Sequence, residues 1–320
     1  MIAPDRSFPV RQGEEIDIAA LSAYLGQPVE IEQFPGGHSN LVYLVRTPGR
    51  EYVLRRPPLG PVAHKAHDMA REYRVLKAIH PYFAEAPQVL ALCEDPGVIG
   101  APFFLMERRH GVVLREETPA AAATEAFVDC LARLHEVDVS IPEIAALGRP
   151  EGFLVRQVTG WRDRWHRAKT EESPAMDTVI AWLESRIPAS PSPVIVHNDY
   201  KFDNVILNPE IDRIKAVLDW EMSTLGDPLA DVGLSLCYWG QIPSPPWTRD
   251  QFIQRYATRT GRDMDNLPYY EVLGIFKLAV ILQQIYYRFH RGQTNDERFR
   301  TLNDRVRNLI AWAVEGVERA

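Results

Sequence analysis

Residues 197–204 read His-Asn-Asp-Tyr-Lys-Phe-Asp-Asn and stand between two apolar runs, Pro193–Val196 and Val205–Asn208. Further on, the run Ile214–Leu218 ends in Asp219. Strand ends thus carry three oxygen donors, Asp199, Asn204 and Asp219. Carboxylate and amide oxygens are hard ligands suited to Mg²⁺. An Asp not consumed as a ligand can accept a hydroxyl proton. A solvated turn between strands has the same composition, so the octapeptide alone leaves both readings standing. Asp219, arriving on a second strand, favours chemistry.

These groups need elements to hold them. After a short helical pattern near 17–25, Val29–Phe34, Leu41–Thr47 and Glu51–Arg56 read as strands. The breaks between them, PGGHSN and TPGR, are turn chemistry, and TPGR predicts an antiparallel hairpin. Residues 64–80 place Met69, Tyr73, Leu76 and Ile79 near helical spacing, and Pro81 stops the run. Gln88–Asp95 and Ala101–Arg109 complete a small unit of five strands and one long helix. Helical patterns dominate from 119, where Phe127, Leu131 and Leu134 form a stripe. They continue at 153–169, 174–187, 228–239, 249–260, 269–291 and 296–318. The boundary falls near Glu107–Gly111, dividing the chain into residues 1–107 and 108–320.

Composition bounds the rest. The 320 residues are 46% hydrophobic and 25% charged, ordinary for a globular protein. A net charge of -7 offers no basic field for nucleic acid. Cys93, Cys130 and Cys237 are scattered and odd in number, which predicts buried, reduced thiols in the cytoplasm. The N-terminal residues carry no secretory pattern. Residues 273–287 are apolar but hold Lys277 and two Gln, so a buried core helix is expected there, not a membrane span. No nucleic-acid or membrane partner is expected. Oligomeric state is left open.

H-x-D-x-x-x-x-N followed by a strand-ending D-x-x triplet resembles the core of the protein-kinase-like superfamily. More closely, HNDYKFDN with LDWEMSTLGDPLADVGLSL is similar to the aminoglycoside phosphotransferase-like family, in the branch that also occurs fused to acyl-CoA dehydrogenase modules. The resemblance covers residues 29–290. It implies an α+β, bilobal protein-kinase-like fold. The N-lobe would be a small five-stranded antiparallel sheet with one long helix, and the larger C-lobe mainly helical. ATP and Mg²⁺ would be the cofactors. By the same resemblance Asp199 is the catalytic base, and Asn204 and Asp219 are the metal ligands. The triplet reads DWE where protein kinases have DFG. Lys201 is expected to stabilise transition-state charge, against the alternative of a surface lysine. His197 is expected to be structural.

The resemblance places the nucleotide on the first strands. Gly36 and Gly37 would let backbone N–H groups approach phosphates, with Ser39 and Asn40 adding donors. Arg55 stands where the family has a phosphate-pairing cation, and Glu72 where a helix Glu pairs with it. Strand alternation chooses Arg55 over Arg56, because Val53 and Arg55 share a face. Residues 103–111 would be the hinge, with adenine on backbone near Glu107 and Arg108 and Met106 lining the pocket. Asp227 is expected to cap the helix starting at Pro228, and Asp231 to brace the catalytic loop.

The expected activity is ATP- and Mg²⁺-dependent phosphorylation of a hydroxyl on a small molecule. A hydroxy acid or hydroxyacyl-CoA is the favoured acceptor. The alternatives are an aminoglycoside phosphotransferase or a nucleotide-binding pseudokinase without turnover. Residues 286–307 carry Arg288, His290, Arg291, Arg298, Arg300, Arg305 and Arg307. They read as an ion-paired helical surface or, through Arg288 or Arg291, as contacts to an anionic substrate. Trp161, Trp165, Trp239 and Tyr238 read as pocket lining or as core.

Overall fold

Pro48 and Gly49 close the first hairpin, with Gly49 at φ 86° where a side chain would strain. They join β2 (Leu41–Thr47) to β3 (Arg50–Arg56) in antiparallel register, Thr47 opposite Arg50. This computed structural model describes residues 6–35, 40–58, 68–115, 117–294 and 296–320. The positions Gly36, Gly37 and Ser39 lie outside the described residues.

The protein is α+β, with a five-stranded antiparallel sheet in the order β1-β2-β3-β5-β4. Its other strands are β1 (Glu30–Gln33), β4 (Val89–Cys93) and β5 (Phe103–Glu107). Pairing puts Val53 opposite Met106 and Arg55 opposite Phe104. The alternation prediction holds: one face carries Val53, Arg55 and Met106. The opposite face buries Tyr43, Val45, Leu54, Phe103 and Leu105 with Leu21 of α1 (Ile18–Leu25). Asp68 caps helix α2 (Met69–Ile79) by accepting the Arg71 N–H at 2.8 Å, and residues 64–67 of the expected helical run lie outside the described residues.

Contacts divide the chain into two compact units. The first joins Met1–Cys130 to Phe202–Ser223, and the second joins Leu131–Lys201 to Thr224–Ala320. Residues 202–223 cross the boundary expected at 107 because their backbone pairs with the strand-rich part. Val112 bridges Leu207, and the Val217 N–H donates to the Glu85 carbonyl at 2.7 Å. In the first unit β7 (Val205–Leu207) pairs with β8 (Ile214–Val217). In the second, β6 (Val194–Val196) pairs with β9 (Thr224–Gly226). The two runs flanking the polar octapeptide therefore do not form a hairpin with each other. β9 was not expected, since three residues carry no readable alternation.

Helix α3 (Ala121–His135) runs from the first unit into the second. The second unit adds α4 (Pro142–Ala145), α5 (Phe153–Ala168), α6 (Pro174–Ser185), α7 (Pro228–Trp239), α8 (Arg249–Thr260), α9 (Leu267–His290) and α10 (Leu302–Arg319). The last helix begins at Leu302, after a short 3₁₀ turn at Glu297–Phe299 where the sequence predicts a helix from 296. Helix α9 is long and apolar enough to cross a membrane, yet it packs against α7, α10 and α5 with its middle buried. Its crossing with α7 brings backbones into contact. A Cβ on Gly233 would lie 2.4 Å from the Tyr270 carbonyl oxygen, and one on Gly274 would lie 3.0 Å from the Gly233 oxygen. Only glycines permit that approach. It carries Asp231 and Lys277 to the loop after β6. All three cysteines are buried and unbridged.

Candidate active site

In the first unit a charge cluster forms where β3, α2 and the turn after β8 meet. Arg55 Nη2 reaches Asp219 Oδ1 at 2.9 Å and Glu72 Oε2 at 3.2 Å. Glu72 Oε1 also accepts the Trp220 N–H at 3.3 Å. The expected pairing of Arg55 with Glu72 is present. Arg56 turns the other way, to the Ile99 carbonyl. Asp219 sits in the left-handed region at φ 67°, and the short 3₁₀ turn Trp220–Met222 follows it. That backbone is uncommon for a non-glycine and marks a specified position. The Leu218 N–H donates to the Asn204 carbonyl at 2.8 Å, so the two expected metal ligands lie on adjacent backbone.

Glu221 is a member that the sequence reading missed. It accepts the Asn40 side-chain N–H at 2.8 Å. Asn40 was expected to face phosphate. Its donor goes to Glu221 instead, and its buried Oδ1 has no partner among the described residues. Arg71 bonds the carbonyls of Glu221 and Ser223, fixing this turn to α2.

One guanidinium thus serves three carboxylates. Burial works against the Arg55 charge, but Glu72, Asp219 and Glu221 outweigh it and raise its pKa above the ordinary arginine value. Burial pushes the Glu72 carboxyl up to about 7, against Arg55 and with Asp219 and Glu221 adding to the rise. The two shifts agree once the sharing is counted: Arg55 stays charged, and Glu72 receives only part of its compensation. This surplus of negative charge fits a hard divalent cation. Asp219 and Asn204 supply the donor types that Mg²⁺ takes. No set of three His, Cys, Asp or Glu side chains among the described residues would hold a metal alone.

The segment expected to be the hinge includes β5. Met106 is buried on the Arg55 face. Glu107 is not placed to present its N–H to a base. That amide donates to the Gln88 carbonyl at 2.9 Å, and the Glu107 carboxylate takes the Gln88 N–H and pairs with Arg109. Sheet pairing claims Glu107, a competition the hydrophobic pattern cannot reveal. Arg108 pairs with Glu51 at 2.9 Å and lies over the Phe34 ring.

In the second unit the loop after β6 is braced from behind. Asp231, in the first turn of α7, accepts the N–H groups of His197 and Asn198, each at 2.6 Å. His135 Nε2 stands 3.3 Å from the same carboxylate, while its Nδ1 meets the Tyr256 hydroxyl at 2.6 Å. Burial opposes ionisation of Asp231. The bonds and charges from His135 and His197 outweigh it and hold the pKa below the usual carboxylate value. The Ser235 hydroxyl donates to the Tyr200 carbonyl, and Lys277 Nζ donates to the Asn198 carbonyl at 2.6 Å. Asn198 itself has φ 66°. His197 Nδ1 accepts the Asp199 N–H at 3.3 Å, which agrees with a structural histidine. Asp227 caps α7 through the Leu229 N–H, as predicted.

The Asp199 carboxylate is held by both oxygens, one from α7 and one from its own loop. The Tyr238 hydroxyl donates to Oδ1 at 2.7 Å, and Lys201 Nζ lies 3.1 Å from Oδ2. Lys201 also sits over the Tyr238 ring. The sequence pointed to Asp199, Lys201 and Asp231. It gave no signal for His135 or for Tyr238 as a partner of Asp199, because those contacts are non-local.

Trp161, Trp165 and Trp239 are buried, as their core reading predicts. Among the tail cations, Arg298, Arg300 and Arg307 pair with Asp296, Glu297 and Glu171, which is the ion-paired surface reading. Arg288 and Arg291 are exposed at the end of α9.

Residues 30–269 match the model of the phosphotransferase enzyme family. Acyl-CoA dehydrogenase family member 10 of Mus musculus is 35% identical over 90% of this chain. The chain spans only 30% of that relative's length. A solved structure from Ralstonia eutropha JMP134, described as a candidate aminoglycoside phosphotransferase, is 30% identical. It superposes with a TM-score of 0.83, covering 96% of this chain and 99% of its own. A spectinomycin phosphotransferase solved with ADP and spectinomycin shares the fold, with a TM-score of 0.62 at 16% identity over 96% of this chain and 98% of its own.

Proposed function

Because the chain belongs to the phosphotransferase enzyme family, we propose that it moves the γ-phosphoryl group of ATP to a hydroxyl of a small molecule. The acceptor we favour is a hydroxy acid or its CoA thioester. The relatives named as acyl-CoA dehydrogenases support an acyl-type acceptor.

The observation that carries the reading is the grip on Asp199, whose two carboxylate oxygens are fixed by Tyr238 and Lys201 on a loop braced by Asp231. Phosphoryl transfer asks the protein for positioning and for charge, and little else. Asp199 orients the acceptor hydroxyl and accepts its proton as the new oxygen–phosphorus bond forms. The bond to the bridging oxygen of ADP breaks in the same displacement. Lys201 offers positive charge to the equatorial oxygens of the transferring group. Arg55, held by Glu72 and Asp219, presents a planar cation to the phosphates. Mg²⁺, held by Asp219 and Asn204, would offset the triphosphate charge.

The test is a Mg·ATP phosphorylation screen over hydroxy acids, hydroxyacyl-CoAs, amino alcohols and aminoglycosides. Phosphorylation of the acyl-type acceptors supports the full reading. Transfer to aminoglycosides alone replaces the acceptor class. ATP binding without consumption in any arm points to a pseudokinase.

A further inference from the structure

Two cations beside the Asp199 loop have no carboxylate partner among the described residues. Lys277, on α9, is buried, and its Nζ donates to the Asn198 carbonyl, one residue before Asp199. Arg164, on α5, is half-buried and stacks on the Trp161 ring with its guanidinium carbon 4.4 Å from the centroid. Lys277 Nζ lies 5.6 Å from the same centroid. Neighbouring cations are answered differently. Arg162 pairs with Asp163 and Glu184, and Lys201 pairs with Asp199. The carboxylates of the second unit that face Lys277 are Asp199 and Asp231, and both are committed to other donors.

Buried cations are costly unless they are paired. The strain registers on both groups. Burial, opposed by Asp199 and Asp231 and reinforced by Arg164 and Lys201, lowers Lys277 to about 8. Burial and Arg167 lower Arg164. A pair of cations on one aromatic ring, neither in a direct ion pair among the described residues, is the arrangement that an incoming anion completes.

We propose that Arg164 and Lys277, gathered on the Trp161 indole, form a subsite for an oxyanion of the acceptor molecule, a carboxylate or a phosphate. The proposal deepens the kinase reading and rests on it. Arg164 is the contact residue, because it is the one partly open to solvent and its fork matches both oxyanions. Lys277 is sealed behind Trp161 beside a water-sized cavity that Gln157, Asn198, Leu234 and Gly274 also line. It contributes charge through the ring and holds the loop. An acceptor bound this way carries its negative charge near α5 and its hydroxyl toward Asp199. Polycationic sugars would meet like charge there. The subsite replaces the α9 tail residues Arg288 and Arg291 as the anion contact.

The experiment compares wild type, Arg164→Gln and Lys277→Met. Binding is measured by calorimetry without nucleotide, and KM is measured with Mg·ATP. The probes are short hydroxy acids, their uncharged methyl esters, their CoA thioesters and amino alcohols of matching length. Wild type should bind the anionic probes more tightly than the esters. Arg164→Gln should weaken that binding about tenfold or more, the usual effect of losing a charge-assisted hydrogen bond, with KM for ATP unchanged. A preference for free acids identifies a carboxylate, and a preference for thioesters identifies a phosphate. Arg164 lies on a helix surface, so its variant remains readable even if Lys277→Met fails to fold. Equal binding of acids and esters, or no effect of Arg164→Gln, overturns the subsite and leaves Arg164 a stacked surface cation. Arg164-dependent anion binding in a wild-type protein that consumes no ATP keeps the subsite and rejects the kinase reading.

Discussion

The Tyr238 hydroxyl lies 2.7 Å from Asp199 Oδ1, and the ring beneath it supports the Lys201 ammonium, 3.1 Å from Asp199 Oδ2. The carboxylate is therefore held at both ends by groups that hold each other. A base that must meet a hydroxyl within hydrogen-bond reach gains from such restriction, since small misplacements are expensive in rate.

Tyr238→Phe removes one hydrogen bond and keeps the ring. The expected result is a loss in kcat of about fivefold, the worth of one such bond, with KM for ATP unchanged. Steady-state kinetics with varied ATP checks this. A rise in KM for ATP at constant kcat would move Tyr238 out of the positioning role.

Asp199→Ala removes the proton acceptor itself. Transfer should slow by roughly 10²–10⁴-fold while nucleotide binding survives. Single-turnover kinetics and a nucleotide titration on the same preparation separate the two. Near-wild-type transfer would reject Asp199 as the base.

Much of this architecture was legible because its cues are local. TPGR fixed the β2–β3 hairpin, alternation separated Arg55 from Arg56, and Asp-Pro announced the start of α7. What escaped depends on contacts between distant residues. Tyr238 meets Asp199 across 39 positions, and Asn40 is drawn to Glu221 across 181. In the segment read as a hinge, the Glu107 N–H is taken by the Gln88 carbonyl, a pairing between distant residues that the local pattern does not show. Three-residue strands such as β9 are too short for alternation to show.

Asp219 carries a different load. Its Oδ1 answers Arg55, and its proposed metal role depends on the same carboxylate. Asp219→Ala should abolish the Mg²⁺ dependence of ATP binding. The ion pair of Arg55 with Glu72 should remain. Titrating ATP with and without Mg²⁺ reads the first effect. Binding that stays metal-dependent would remove Asp219 from the ligand set.

Lys277 offers a test through stability. Its folded-state pKa of about 8 lies below the ordinary lysine value of 10.5, with burial as the largest cause. Between these values the unfolded chain binds more protons than the folded one, so stability rises with pH through that window. Below about pH 8 the side chain is charged in both states, and the full cost of burying the charge is present. By pH 10.5 most of that cost is relieved, a gain on the order of 3 kcal/mol. Lys277→Met has no such group to titrate. Denaturant unfolding of both proteins from pH 7 to 10.5 should show the wild type gaining on the variant as pH rises. Parallel curves would mean that the Lys277 charge costs the fold nothing, and that the Asn198 carbonyl satisfies it.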